Sequence, residues 1–326
     1  MVALLSEETT RTYRCGAANF SDPRDYESAF GKATVQLTIT GGGDFRARLT
    51  WLRLRHLQVF LVREELPRIA FVSLPPSRMF VAFPIDKSPL IWNGTELHLG
   101  DFAFHARDER MHQRIDGRTS WGLMSLPATQ LSSYRNSLNG RKLAIPSFGR
   151  TLRPQRVVSA RLLRLHAEAC RLVETNDGSA GHPSIRDGLR QELCHALVDC
   201  LSADDNKQNP RKAERHADIM ARFEAALAVH ADCQPSLAEF CAAIGVAERT
   251  LRACCAEFLG LSPTKYILLR RLNMVRSALR RADPATARVA EIARSFQFSE
   301  LGRFAVTYRR TFGEMPSITL RRASVE

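Results

Sequence analysis

Two short segments carry arginines in the first turns of what read as helices: Arg249 and Arg252 in ERTLRACCAEFL, and Arg303 in ELGRFAVTYRRTF. A guanidinium is a planar, permanently charged fork, suited to clamping phosphate oxygens and to donating two parallel bonds to a base edge. In the first segment Arg249, Thr250, Arg252 and Ala253 face outward when Leu251, Cys254, Cys255 and Phe258 are turned to a core. In the second, Leu301, Gly302 and Arg303 begin the outer face when Phe304 and Tyr308 are turned inward. Each segment closes on a Gly-x-x-Pro, Gly260 to Pro263 and Gly313 to Pro316. The same shape is written twice with different exposed letters.

The elements that position these residues are legible. Ser236-Leu-Ala-Glu239 is a capping box, in which hydroxyl and carboxylate reciprocally satisfy amides at a helix start. That helix runs to about Ile244, and Gly245 supplies the positive φ that a tight turn between crossing helices needs. The reader segment follows over Glu248–Phe258. Ser262 as cap and Pro263 at the first position open a helix to Arg281, a rod of about 28 Å, ended before Asp283–Pro284. Val289–Ser295 then repeats the scaffold helix, and Ser299 is expected to cap a second reader over Glu300–Thr311. An earlier amphipathic helix carries Ile219, Phe223 and Leu227. Two helix-turn-helix units on a stiff spacer suit successive major grooves of B-DNA, about 34 Å apart.

Residues 215–322 resemble the DNA-binding domain of the AraC/XylS family of bacterial transcription regulators. The resemblance is carried by SLAEFCAAIGVAERTL, GLSPTKYI, RRLNMVRSALRRADP and AEIARSFQFSELGRFAVTYRRTFGEMPS, in that order, over about a third of the chain. By position, it implies a base-contacting surface of Arg249, Thr250, Arg252 and Ala253 in the first reader and Leu301, Gly302, Arg303 and Val306 in the second. Arg249, Arg252 and Arg303 are the specificity candidates, since arginine holds guanine O6 and N7 bidentately. Lys265, Arg309 and Arg310 are placed to meet phosphates. The chain departs from the family twice. Gln297 stands where glycine is usual, at a cost on the order of 1–2 kcal/mol in a left-handed turn. Ala247 stands where a cap is wanted, worth about 1 kcal/mol less than serine.

Residues 32–126 read as strands: Lys32–Thr40, Asp44–Trp51, Leu57–Val62, Ile69–Leu74, Met79–Ile85, and a hairpin at Asn93–Gly94. Helices follow over 155–176 and 184–202, then a polar stretch, DDNKQNPRKAER, broken by Pro210. The expected fold class is α+β, a β-rich cupin-like barrel with flanking helices joined to an all-α domain. The boundaries are 1–203 for sensing and dimerisation, 204–214 for a linker, and 215–322 for DNA binding. The family layout implies a small-molecule effector in the barrel, a homodimer through residues 155–202, and contact with RNA polymerase as an activator. Arg46, Arg48, Arg53 and Arg55 either recognise an acidic effector or form the wet face of a sheet. Trp51, Phe60, Phe71, Phe80 and Trp92 either line a pocket or fill the core.

A net charge of +13 favours a polyanion, with double-stranded DNA first and anionic membrane as a rival. No run approaches a membrane span, and the start of the chain does not read as a secretory signal, so a bacterial cytoplasmic location without membrane association is expected. The eight cysteines show no CxxC pair, and Cys254 and Cys255 read as helix core, with a redox switch as the alternative. A cupin-type metal enzyme would draw on His98, His105, His112, Asp101, Asp108 and Glu109, whose spacing lacks a His-x-His; no catalytic residue, metal or cofactor is expected. A methyl-accepting repair protein would need a cysteine cluster near the N-terminus, where only Cys15 lies. A nonspecific architectural DNA binder is the remaining alternative, against which stand the two different reader surfaces.

Overall fold

A computed structural model describes residues 14–31, 33–75, 77–105, 109–127, 129–130, 149–175, 182–202, 210–230 and 235–322. The N-terminal part is β-rich and the C-terminal part helical, as the α+β reading expects. One antiparallel sheet has seven strands, in the order β1 (Arg14–Phe20), β3 (Ala47–Leu54), β4 (Leu57–Glu64), β11 (Thr119–Pro127), β6 (Arg78–Pro84), β9 (Phe102–His105) and β12 (Arg150–Leu152). The other has five, in the order β2 (Thr34–Ile39), β5 (Arg68–Ser73), β10 (Arg110–Ile115), β7 (Leu90–Trp92) and β8 (Thr95–Leu97). The Asn93–Gly94 hairpin joins β7 to β8, both turn residues at positive φ, 46° and 78°.

The long apolar runs have a simple cause. Strands β4 and β6 are buried on both faces, so they need no polar alternation. Phe60, Val62, Phe80 and Ala82 face the space between the sheets. Val59, Leu61, Met79, Val81 and Phe83 pack under helices α2 (Arg156–Thr175) and α3 (Pro183–Ser202) through Leu162, Ala169, Leu193 and Leu197. Helix α1 (Pro23–Ser28) closes one end with Tyr26, Phe20, Phe30 and Phe45 in edge and tilted ring contacts. Of the aromatic candidates, Phe80 and Trp92 line a cavity between the sheets, while Trp51 and Phe60 belong to the core. Arg46 and Arg55 are exposed, and Arg48 and Arg53 half-buried, with Arg48 beside Glu174 of α2 at 3.7 Å. The arginines do not form one surface: Arg48 lies on the face of β3 that carries Leu52 and Leu54, Arg53 on the face that carries Leu49 and Trp51, and Arg55 is in the turn after the strand.

The C-terminal helices are α4 (Pro210–Val229), α5 (Leu237–Ile244), α6 (Glu248–Leu259), α7 (Pro263–Arg281), α8 (Val289–Ser295), α9 (Leu301–Phe312) and α10 (Pro316–Arg322). The expected linker differs in one respect: from Pro210 the chain is already helical, because proline is well tolerated in a helix's first turn. Residues 204–209 lie outside the described residues.

These helices are docked on the five-stranded sheet, and its period of two decides how. Along β5, Arg68, Ala70 and Val72 line the cavity, while Ile69 joins the core of α4, α5 and α6 and Phe71 stacks on the His112 ring at 5.1 Å. Along β10, Met111 and Gln113 line the cavity and His112 faces the helices, its Nε2 at 2.8 Å from Glu224 Oε1 of α4. Glu224 also accepts from the Tyr266 hydroxyl at 2.6 Å and from Arg270, both on α7. Burial alone would raise the Glu224 pKa; the Arg270 charge and the His112 and Tyr266 hydrogen bonds outweigh it and hold the carboxyl below its usual range.

Strand β2 lies at the sheet's edge, where unpaired backbone groups need a partner. Asn273 of α7 supplies one: its Oδ1 accepts from Ile39 N and its Nδ2 donates to Ile39 O, both at 3.0 Å. The β2–β3 loop reaches further, with Gly43 N donating to Phe312 O at 3.4 Å and Arg276 Nη2 donating to Gly43 O at 3.2 Å. A Cβ on Gly42 would stand 3.1 Å from the Gly313 nitrogen, so the loop's glycines permit a close backbone approach.

Glu224 is therefore the electrostatic centre of the docking face. Glu224→Ala should destabilise the chain by about 3–5 kcal/mol in urea unfolding, since it takes the carboxylate from a largely buried guanidinium and from the buried His112 and Tyr266. Because its folded pKa is depressed, Glu224's contribution is present above the ordinary carboxylate pKa and is lost as pH falls through the folded value. A loss below about 1 kcal/mol for Glu224→Ala would show that the network carries little of the docking.

Candidate nucleic-acid interface

The first helix-turn-helix is built as its sequence reads. Ser236 Oγ accepts from Glu239 N at 3.2 Å, and Glu239 Oε2 accepts from Ser236 N at 2.6 Å, completing the capping box. Gly245 takes φ 67° and ends α5. Its turn has a further support: Arg222 of α4 donates to the carbonyl of Ile244 at 2.6 Å. Ala247 occupies the cap of α6 without a side-chain bond. Leu251, Cys254, Cys255 and Phe258 are buried, and desolvation pushes the Cys255 thiol pKa up, so this pair is helix core.

The second unit repeats the plan with different parts. Gln297 takes the left-handed conformation, φ 63°, at the position corresponding to Gly245. Arg271 of α7 pins this turn, donating to the carbonyls of Phe296 at 2.9 Å and Gln297 at 2.8 Å while its guanidinium lies 4.3 Å from the centre of the Phe298 ring. Each turn is thus held by an arginine from the helix before its unit. Ser299 does not cap the second reader: Glu300 stands at the cap without a side-chain bond, and α9 begins at Leu301. Glu300 instead reaches Arg303 at 3.3 Å. Phe304, Tyr308 and Phe312 are buried, and Tyr308 shares a hydrogen bond with Thr319 at 2.8 Å.

The residues expected to meet DNA sit on the outer surfaces of these helices. On α6, Arg249, Arg252 and Ala253 are exposed and Thr250 is half-buried. Arg252 is held by Glu248 one turn back at 2.5 Å, whereas Arg249 has no ion-pair partner among the described residues. On α9, Gly302, Arg303 and Val306 are exposed, and Leu301 is half-buried against the core. Val306 is 53% exposed, a branched apolar side chain that the fold does not need outside. A Cβ on Gly302 would meet nothing within 4 Å, so no contact within the chain requires glycine there. Lys265, Arg309 and Arg310 are exposed as well. Ion pairs with Glu248 and Glu300 mean that two of the three candidate guanidiniums must exchange a carboxylate to meet a base.

The enzyme candidates do not converge. His98 is exposed near Glu96, His105 pairs with Glu109 at 2.5 Å, and His112 turns away to Glu224. Asp101 accepts from His98 N, and Asp108 lies outside the described residues. Among the described residues no three His, Cys, Asp or Glu side chains gather as a metal site would require, and no helix is long and apolar enough to cross a membrane.

Comparison with known proteins agrees with this geometry. Residues 240–322 match a family model described as a helix-turn-helix domain. The chain is 29% identical to the "Probable thc operon regulatory protein" of Rhodococcus erythropolis over 53% of its own length and 52% of that protein's. It is 38% identical to the XylDLEGF operon transcriptional activator 1 of Pseudomonas putida over 24% of each chain. It spans about half the length of the first relative and about a quarter of the second. Among solved structures, the AraC-like transcriptional activator CuxR aligns with a TM-score of 0.41 at 16% identity, over 80% of this chain and 94% of that one. ToxT from Vibrio cholerae aligns at 0.29 and 11%, over 82% and 98%.

Gln297→Gly should relieve the left-handed strain and raise stability in urea by about 0.5–1 kcal/mol, part of the gain being offset by chain entropy. A lower stability would mean that the side chain itself supports the turn.

Proposed function

With a C-terminal domain of the AraC/XylS helix-turn-helix type as premise, we propose that the whole chain is a bacterial, cytoplasmic, ligand-responsive transcription activator and not an enzyme. The observation that carries this reading is the duplicated unit with two differently lettered exposed surfaces, one on α6 and one on α9. Arg249, Arg252 and Arg303 read guanines, Val306 meets an apolar base edge such as a thymine methyl, and Thr250, Ala253, Leu301 and Gly302 set how closely each helix approaches. Lys265, Arg309 and Arg310 hold phosphates and fix register. Residues 1–203 sense a small molecule and dimerise through the α2–α3 pair, residues 204–209 link, and the helices from α4 onward bind promoter DNA and engage RNA polymerase. The two-faced sheet supports effector control, because the cavity wall and the docking face of the DNA-binding helices are the same strands.

Readers and clamps should separate by experiment. Arg303→Ala should relax preference at one base position and cost about 1–3 kcal/mol on the best site, while Lys265→Ala should weaken all sites uniformly and lower the salt dependence by about one phosphate contact. Measured binding preferences over a randomised DNA library decide it. An unchanged preference for Arg303→Ala removes that residue from the reading set, and uniform weakening by every variant favours a nonspecific architectural binder.

A further inference from the structure

The cavity between the sheets opens through a mouth, and its interior together with the open solvent at that mouth makes up about 530 Å³ of empty space. Most of its wall is aliphatic or aromatic, with Val35, Leu37, Val72, Phe80, Trp92 and Leu123 among the lining residues. One cationic side chain belongs to it, Arg68, and four of the five N–H donors of its guanidinium are engaged. Its Nε and Nη2 donate to the two carboxylate oxygens of Glu64 at 2.9 and 2.6 Å. Its Nη1 and Nη2 donate to Gln113 O at 3.1 Å and Gln113 Oε1 at 2.7 Å. Glu64 accepts in addition from Trp121 Nε1 at 2.7 Å. Arg68 and Glu64 side chains are each 1% exposed. The pair is therefore neutral in sum, and a carboxylate entering the cavity would lose its hydration with no free charge to receive it.

The opposite holds for acceptors. Trp92 Nε1 and Gln113 Nε2, of two residues that line this cavity, are buried without a hydrogen-bond partner among the described residues. Burial first, then the charge of Glu64 beside it, push the Tyr26 pKa well up, so the hydroxyl stays protonated against that carboxylate. Buried donors left unmatched are costly, and an acceptor among them recovers that cost. We propose that the cavity binds a neutral apolar molecule of about one aromatic ring, carrying a single hydrogen-bond acceptor, and discriminates against carboxylates. This rests on reading residues 1–203 as the sensing part.

Three ring compounds of near-equal size test it on the full chain by calorimetric titration at neutral pH without DNA: acetophenone, ethylbenzene and benzoate. Acetophenone should bind tightest, at least about tenfold above benzoate, with ethylbenzene between them. Trp92→Phe should shrink the advantage of acetophenone over ethylbenzene. Glu64→Gln, which frees the Arg68 charge, should improve benzoate binding at least about tenfold. The wild-type order stands as a test even if either variant fails to fold. Benzoate binding as tightly as acetophenone, or no binding of any of the three, overturns the inference. Specific DNA binding without this ligand order overturns it alone; the ligand order without specific DNA binding upholds it and removes the regulator reading instead.

Discussion

The alternation of side chains along β5 and β10 is the constraint on which the rest of the molecule depends. A strand sends successive residues to opposite faces, so Met111 and Gln113 at the cavity are bound in register to His112 on the docking face. Arg68, Ala70 and Val72 are bound in the same way to Ile69 and Phe71. A sheet one residue thick cannot move one face without the other. The edge strand adds a second link, since Val35 and Leu37 line the cavity while Gln36 and Ile39 of the same strand are held by Arg270 and Asn273 of α7. The cavity wall and the helix that connects the two proposed readers are thus joined through one strand.

Within the helical part, the turns are the delicate points. Each needs one residue at positive φ, glycine in the first unit and glutamine in the second. Each exposes carbonyls that an arginine from the preceding helix accepts the task of satisfying: Arg222 at Ile244, Arg271 at Phe296 and Gln297. The duplication therefore extends below the surface letters, into the devices that fix the angle between scaffold and reader. Arg271 explains how Gln297 can stand where a glycine is easier.

Much of this was legible in the residues. The capping box, Gly245, the Ser262–Pro263 start and the inward stripe of Leu251, Cys254, Cys255 and Phe258 are local signals, and local signals survive without tertiary knowledge. Ser299 misled because a serine near a helix start is a good cap by type, yet here the chain enters α9 one residue later, through Glu300. Pro210 misled for the converse reason, since a proline marks either a break or a first turn. The arginines of the β3 region drew attention by their number, whereas Arg68 was missed. The signal that could have found it is an acid and a base four residues apart, Glu64 and Arg68, at the ends of two otherwise apolar runs. His112 was weighed only against metals, because its partner lies 112 residues away on α4. Long-range pairs of this kind leave no local spacing to read.

Selection of bound fragments from host genomic DNA by the full-length protein, followed by footprinting at two salt concentrations, tests two-helix reading most directly. Reading by both α6 and α9 predicts protection across two adjacent major grooves on one side of the duplex, about 34 Å apart, that survives unrelated competitor DNA at the higher salt. Diffuse protection that fades uniformly as salt rises would contradict it and leave a basic surface that binds without reading.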